Sequence, residues 1–456
     1  MKLNKKLFLG LGSTLTGLST VAMVVSCQEE IVDVKAQQDQ SQHYHKTNYS
    51  NISSLVESKK AEVEKAKSEN TFKELRIGLV TAGGDVNDKS FNQSMWEAVS
   101  QHSLQVGATW NRSVNSPGDK LANTYNSFMG TNLNVWVLTG FQQAEAFETW
   151  YKQNKDSFDS RDITVIGVDW SLPDGVVSPG KLITLNYKTE EAGWMAGYAI
   201  ADYLSTKEQD DNKRKVATFG GGTGAGVLDF IAGYLQGIHD YNAESGNSKK
   251  TKLNTSNLEL STGFDAQDAS NVRKVEVTVS SEDPKAVFPV AGSLSGTALE
   301  AIKKANKGQL IIGVDTDQSK AFEQDAKYFF TSVEKRLGST LYRVLTDLWL
   351  QKGANSDILS GFSATSNAAI RDGYFNGFVD LSETTLAETD KTVAKASIEK
   401  AKQKFTQKVE AVKSKYENDN KKVDVKKEFN IPVMTISPDP KNAEALNALA
   451  AKINAQ

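Results

Sequence analysis

The sequence predicts an α/β fold of two lobes, each a parallel sheet flanked by helices, with an added charged helical segment near the C-terminus. Three observations carry this. Short β-branched runs alternate with helix-length stretches from residue 75 onward. The runs number about eight, which suits two sheets better than one. And an echo, Ile-Gly-Val-Asp, occurs at 166–169 and again at 312–315, each time closing a strand-like run. Alternating β and α with apolar strands argues for parallel sheets covered by helices. A body of roughly 300 residues divides more comfortably into two such sheets than one.

Eight runs read as strands: 75–81, 133–139, 163–168, 181–186, 215–220, 286–292, 310–314 and 328–333. Helix-length segments at 91–101, 190–204 and 227–241 lie between several of them. Ahead of this body, Lys2, Lys5 and Lys6 precede an uncharged, largely apolar run over 7–25, and Cys27 follows Ser26. A charged start, an apolar stretch and a small residue before a cut describe an export signal over 1–26. A cysteine just after the cut resembles the bacterial lipobox, in which the thiol takes a diacylglycerol. The expectation is therefore a body outside the cytoplasm, held on the cell membrane by a lipid anchor at Cys27, acyl chains such as palmitate included. Residues 27–74 are polar and read as a flexible stalk, with room for a short polar helix over 55–67.

Near the other end, 384–428 is dominated by Lys, Glu, Ala and Thr. Ile398, Phe405, Val409 and Val412 fall at helical spacing, which predicts a charged amphipathic helix lying on a lobe. Residues 429–438 then read as a late strand and turn, and 441–454 as a final helix.

Composition narrows the function. The chain has 456 residues, a net charge of −3, one cysteine and four histidines. That balance offers no nucleic-acid footprint. A lone cysteine forms no internal disulfide, and four histidines give a zinc site or a histidine-based triad little material. No metal or cofactor is expected.

Chemistry-bearing positions cluster after strands. Ser90 to Gln93 fits a capping box that opens a helix just past the first strand, where free N–H groups point at a ligand. Phe91 there is either core or an exposed platform. The stretch 220–226, GGGTGAG, lacks the ending of a phosphate loop and reads as a loose turn or as backbone lining a cleft. Asp169 and Asp315 each sit at the carboxyl end of a strand, where open parallel sheets hold their ligands. They suit helix caps, acid–base work on a glycosidic bond, or hydrogen bonds to sugar hydroxyls. Lys335 is either a surface lysine or a charged donor where the chain returns to the first lobe.

Taken in order, Asp88 to Gln93, 287–292 (VFPVAG), 311–318 (IIGVDTDQ), 329–336 (FFTSVEKR) and 373–382 (GYFNGFVDLS) resemble the basic membrane protein family, PnrA-like surface lipoproteins. The resemblance spans about 75–382 and implies a periplasmic-binding-protein type I-like fold with three hinge crossings. It divides the chain into an N-lobe of 75–187 with 334–365 and a C-lobe of 188–333 with 366–456. The 384–428 insertion departs from the family pattern. The implied function is binding of a purine nucleoside, such as inosine, guanosine or adenosine, for delivery to an ABC transporter permease, without catalysis. The implied site stacks the base between Phe91 and Phe264, the latter less securely placed because its surroundings diverge. It turns Asn92 and Asp169 toward the base, and Gly292, Asp315 and Lys335 toward the ribose. The competing readings are a sugar-binding protein of the same fold, a nucleoside hydrolase using the two aspartates, and a surface adhesin.

Overall fold

The computed structural model describes residues 28–33, 52–81, 84–108, 110–116, 118–359, 361–435 and 439–456. The leader over 1–26 and Cys27 lie outside them. Thirteen strands form two sheets among the described residues. They are β1 Gln28–Asp33, β2 Ile77–Thr81, β3 Trp110–Asn115, β4 Val135–Thr139, β5 Thr164–Val168, β6 Leu182–Tyr187, β7 Lys215–Gly220, β8 Lys252–Leu253, β9 Ala286–Val290, β10 Leu310–Asp315, β11 Phe329–Lys335, β12 Ala368–Asp372 and β13 Val379–Leu381. The N-lobe sheet runs β1-β3-β2-β4-β5-β6-β12 and the C-lobe sheet β13-β11-β10-β9-β7-β8. Only the outer pairs β1–β3 and β11–β13 are antiparallel.

The inner strands are buried on both faces, as the near-continuous apolar runs of β4 (VWVLT) and β9 (AVFPV) require. Setting β1 aside, each lobe repeats one winding: β3 lies outside β2 and β8 outside β7, and the rest follow on the other side. That reversal opens a crevice at the strands' carboxyl ends. All eight strands expected from sequence are present. The five others are short, polar or peripheral.

The main helices are α1 Ser53–Glu69, α2 Phe91–Val106, α3 Leu121–Met129, α4 Gln143–Asp159, α5 Thr189–Lys207, α6 Ala225–Ala243, α7 Ala269–Ser280, α8 Leu294–Ala305, α9 Leu337–Trp349, α10 Glu388–Val412 and α11 Pro440–Ala455. The closest crossing joins α5 to α6. A Cβ on Gly197 would lie 1.9 Å from the Tyr234 carbonyl oxygen, and one on Gly237 would lie 2.1 Å from that of Trp194. Gly193 and Gly233 are equally hemmed in by backbone. Glycine there allows main chain to meet main chain, which offsets its poor helix propensity.

Three boundaries differ from the sequence expectation. The helix allowed for over 55–67 is present as α1, but it docks on the body rather than standing in a stalk: it buries Val63 and Ala66 and donates from Lys67 Nζ to the Gln105 carbonyl at 2.7 Å. Its low amphipathicity hid this docking. The second boundary is the chain's last exchange between lobes. β11 pairs entirely within the C-lobe sheet, and β12 still pairs with β6 in the N-lobe. The crossings therefore fall at 187–188, 335–336 and 373–378, rather than at 333–334 and 365–366. β12 (AAIRD) is an edge strand with alternating burial, too short to stand out. Third, 429–435 forms no strand and follows a single helical turn, Val425–Glu428.

The charged insertion is largely α10, and it packs as its spacing predicts. Ile398, Phe405 and Val409 are buried and Val412 is half-buried. Lys400, Lys404 and Lys408, one turn apart, pair with Asp202 on α5, Glu244 just past the end of α6 and Asp240 on α6. Such rim pairs are each worth about 1 kcal/mol or less, so the buried apolar stripe holds the helix and the lysines set its register.

Candidate ligand-binding cleft

One cavity between the lobes is lined by all seven site residues named from sequence: Phe91, Asn92, Asp169, Phe264, Gly292, Asp315 and Lys335. Phe91, Asn92 and Asp169 come from the N-lobe. The other four belong to the C-lobe, Lys335 being the last residue of β11.

The two aspartates of the Ile-Gly-Val-Asp echo occupy matching places, Asp169 just after β5 and Asp315 at the end of β10. Both have left-handed backbone, φ +64° at Asp169 and +65° at Asp315. This turn lifts the carboxylate out of the sheet and into the crevice. Lys335 reaches between them. Its ammonium donates to Asp169 Oδ2, lies 3.9 Å from Asp315 Oδ1, and donates to the Gly226 carbonyl at 3.2 Å. It also lies 5.3 Å from the Phe91 ring centroid and 4.9 Å from that of Phe230. Lys335 is only 4% exposed. Burial pushes both carboxyls above their ordinary range, and the lysine opposes this.

Ser90 and Asp88 divide the capping task differently from the sequence reading. Ser90 occupies the N-cap position, yet its side chain makes no cap bond. Asp88 does the capping, accepting from the backbone N–H groups of Ser90, Asn92 and Gln93 at 2.9–3.0 Å. Gln93 turns back to the Lys89 N–H at 3.0 Å. The Ser90 hydroxyl is thereby freed to cross the cleft and donate to Asp315 Oδ2 at 2.8 Å. Burial raises the Asp88 carboxyl to about 6 against the pull of its three N–H donors. Asn92 is fixed by donation to Asp88 at 3.0 Å and acceptance from Thr139 Oγ1 at 3.1 Å.

Phe264 rests on the glycine-rich loop. A Cβ on Gly221 would fall 2.4 Å from its ring, so the ring seats where a side chain is missing. Ser293 Oγ ties its carbonyl at 2.5 Å, and the Phe141 ring lies tilted 6.3 Å away. Gly226 also lines the cavity, so this loop serves as cleft backbone as well as turn. Residues that the sequence did not single out include Thr139, Phe141, Gln142, Phe230 and Ser293. Phe230 lies in a helix buried at every position from Val227 to Ile238, where pattern cannot separate a lining residue from core. Phe141 follows β4 as Asp169 follows β5; strand-end logic applied to every strand would have found it.

Two α/β lobes of matching winding, joined by three crossings around a cleft lined from both, define a solute-binding protein of the type I periplasmic-binding fold. A similar solved structure is an ABC transporter system solute-binding protein from Aeropyrum pernix K1, with a TM-score of 0.60, 15% identity, and coverage of 84% of this chain and 98% of that one. The chain belongs to the PnrA-like family of ABC transporter substrate-binding proteins, Bmp, whose profile matches residues 76–357. It is a binding component and not an enzyme. Among curated relatives, it is 22% identical to the ABC transporter nucleoside-binding protein BmpA of Lactococcus lactis, over 71% of this chain and 86% of that one. It is 25% identical to basic membrane protein B of Borreliella burgdorferi, over 60% and 74%. Among the described residues no helix is long and apolar enough to cross a membrane. Helices α10 and α11 lie beyond the matched region.

Proposed function

We propose that this protein binds a purine nucleoside in the interlobe cleft and hands it to an ABC transporter permease. The observation that carries the reading is that Phe91 and Phe264, one from each lobe, line the same cavity as the Asp169–Lys335–Asp315 cluster. Aromatic rings suit the π-face of any base, at about 1–3 kcal/mol per stack. Carboxylates accept from a ribose diol, and hydrogen bonds to charged groups add about 1.5–3 kcal/mol each. The lining carries three carboxyls, Asp88, Asp169 and Asp315, against Lys335. A phosphate would meet that negative excess, so a neutral nucleoside fits better than a nucleotide. The relative named for nucleoside binding supports the same ligand class.

Calorimetric titration with inosine, 2′-deoxyinosine, hypoxanthine, ribose and inosine 5′-monophosphate tests this. Inosine is expected to bind most tightly and the monophosphate at least about tenfold more weakly. Phe91→Ala should weaken all base-containing ligands by about 1–3 kcal/mol. Asp315→Ala should weaken inosine more than hypoxanthine. Equal binding of ribose and inosine would replace the reading with a sugar-binding one.

The same proposal places the body on the outer face of the cell membrane through a lipidated Cys27. Cys27→Ser should release the protein or leave an uncleaved precursor; cleavage and acylation of that variant would refute the anchor.

A further inference from the structure

The C-terminal helix α11 carries three asparagines, Asn442, Asn447 and Asn454, and each holds backbone of the C-lobe. Asn454 Oδ1 accepts from the Leu253 N–H of edge strand β8 at 2.8 Å. Asn447 Oδ1 accepts from the Leu258 N–H at 3.0 Å. Asn442 Nδ2 donates to the Thr223 carbonyl at 2.9 Å, within the glycine-rich loop. The first bond covers a sheet edge, a task helices often perform. The other two reach the glycine-rich loop and the segment that leads to Phe264.

Thr223 lies two residues past Gly221, the seat of the Phe264 ring, and three before Gly226, which accepts from Lys335. Five of the seven residues in 220–226 are glycine, so this loop loses more conformational freedom on ordering than a loop of bulkier residues would. The segment beyond Leu258 carries Phe264 and is laced to the same loop: Gly220 N–H to the Glu259 carbonyl at 2.9 Å, Thr262 N–H to that of Gly220 at 3.1 Å, and Gly263 N–H to that of Gly221 at 3.1 Å. Asn442 is 2% exposed. Its remaining bonds hold Thr435: it accepts from the Thr435 N–H at 3.0 Å and donates to the Thr435 hydroxyl at 3.1 Å.

We propose that α11 is a working part of the ligand site, with Asn442 the positioning residue that holds the glycine-rich loop, and through it Phe264 and the Gly226 carbonyl, in binding geometry. A helix outside the family-matched region thus supports the wall on which the C-lobe presents its aromatic face. The affinity readout rests on the nucleoside reading of the cleft; a second readout does not.

The test compares Asn442→Ala, Asn442→Asp and Asn454→Ala in the whole chain. Asn442→Ala is expected to weaken inosine and hypoxanthine by the same factor, about three- to tenfold, the range of one lost hydrogen bond. Amide hydrogen exchange in 220–226 of the free protein should quicken. Asn442→Asp keeps the acceptor for Thr435 but turns an oxygen toward the Thr223 carbonyl, so it should weaken binding at least as much. Asn454→Ala should lower the melting temperature while leaving affinity and loop exchange unchanged. The proposal is overturned if Asn442→Ala and Asn454→Ala behave alike, or if Asn442→Asp binds as the native chain does. Should the native chain bind neither inosine nor hypoxanthine, the nucleoside reading fails, and loop exchange decides the positioning role: unchanged exchange in Asn442→Ala then overturns it.

Discussion

Lys335 concentrates the electrostatics of the cleft in one side chain. Burying a charge is costly unless it is paired and hydrogen-bonded, and here two carboxylates and a carbonyl share the ammonium. Lys335→Ala leaves Asp169 and Asp315 buried and uncompensated, with an expected loss of about 3–5 kcal/mol at neutral pH. Burial already raises both carboxyls, and losing the lysine raises them further. Protonation relieves the variant, so its deficit should shrink as pH falls from about 7 to about 5. Denaturant midpoints at the two pH values check this, and a deficit that grows at low pH would refute it. The sequence exposed much of this site, because strand ends and family motifs point to Asp169, Asp315 and Lys335 without any coordinates. The reach of the Ser90 hydroxyl across to Asp315 was not legible. It depends on Asp88 taking over the cap, a competition between two neighbouring acceptors that spacing does not decide.

At the level of elements, the crossing of α5 and α6 shows how packing overrides propensity. In an isolated helix Gly197→Ala would be favourable by up to about 1 kcal/mol. In the protein the new methyl would sit 1.9 Å from the Tyr234 carbonyl oxygen, so the helices must part. An expected loss of about 3 kcal/mol or more follows from overpacking. Urea denaturation would measure it, and a neutral or stabilising outcome would mean the helices do not meet this closely. Strongly apolar elements such as β4, β9 and α6 were legible in the sequence because their burial is written in composition. β3 and β12 were not. β3 carries Asn111, Arg112 and Ser113 near the outer edge of its sheet, and β12 alternates on an edge. Both owe their strand form to a partner's free hydrogen bonds rather than to their own side chains.

Across the whole molecule, the crossings meet at the start of α5. Glu191 is 3% exposed; its carboxylate accepts from the Tyr374 N–H of the third crossing at 2.7 Å and lies 4.0 Å from Lys188 Nζ of the first. Burial raises this carboxyl to about 7, with Lys188, the Tyr374 N–H and Arg371 pulling it down and Glu190 pushing it up. An unfolded chain titrates it near the ordinary 4.5. The folded state therefore favours the protonated acid, and this contribution is whole below the unfolded value and lost as pH climbs through about 7. Burial raises Asp88 and Asp229 to about 6 and Glu334 to about 7, which acts in the same sense. Glu191→Gln keeps an acceptor for Tyr374 but cannot ionise. It should flatten the fall in stability between about pH 5 and 8 by up to about 3 kcal/mol. Melting curves across that range would show it, and a slope equal to that of the native chain would refute the assignment.

Two bonds span the cleft and join lobe to lobe, a buried one from Ser90 to Asp315 and a part-buried one from Lys335 to Asp169. Parting the lobes must break both bonds. A solute whose release requires that parting would have its residence timed by the opening of this latch.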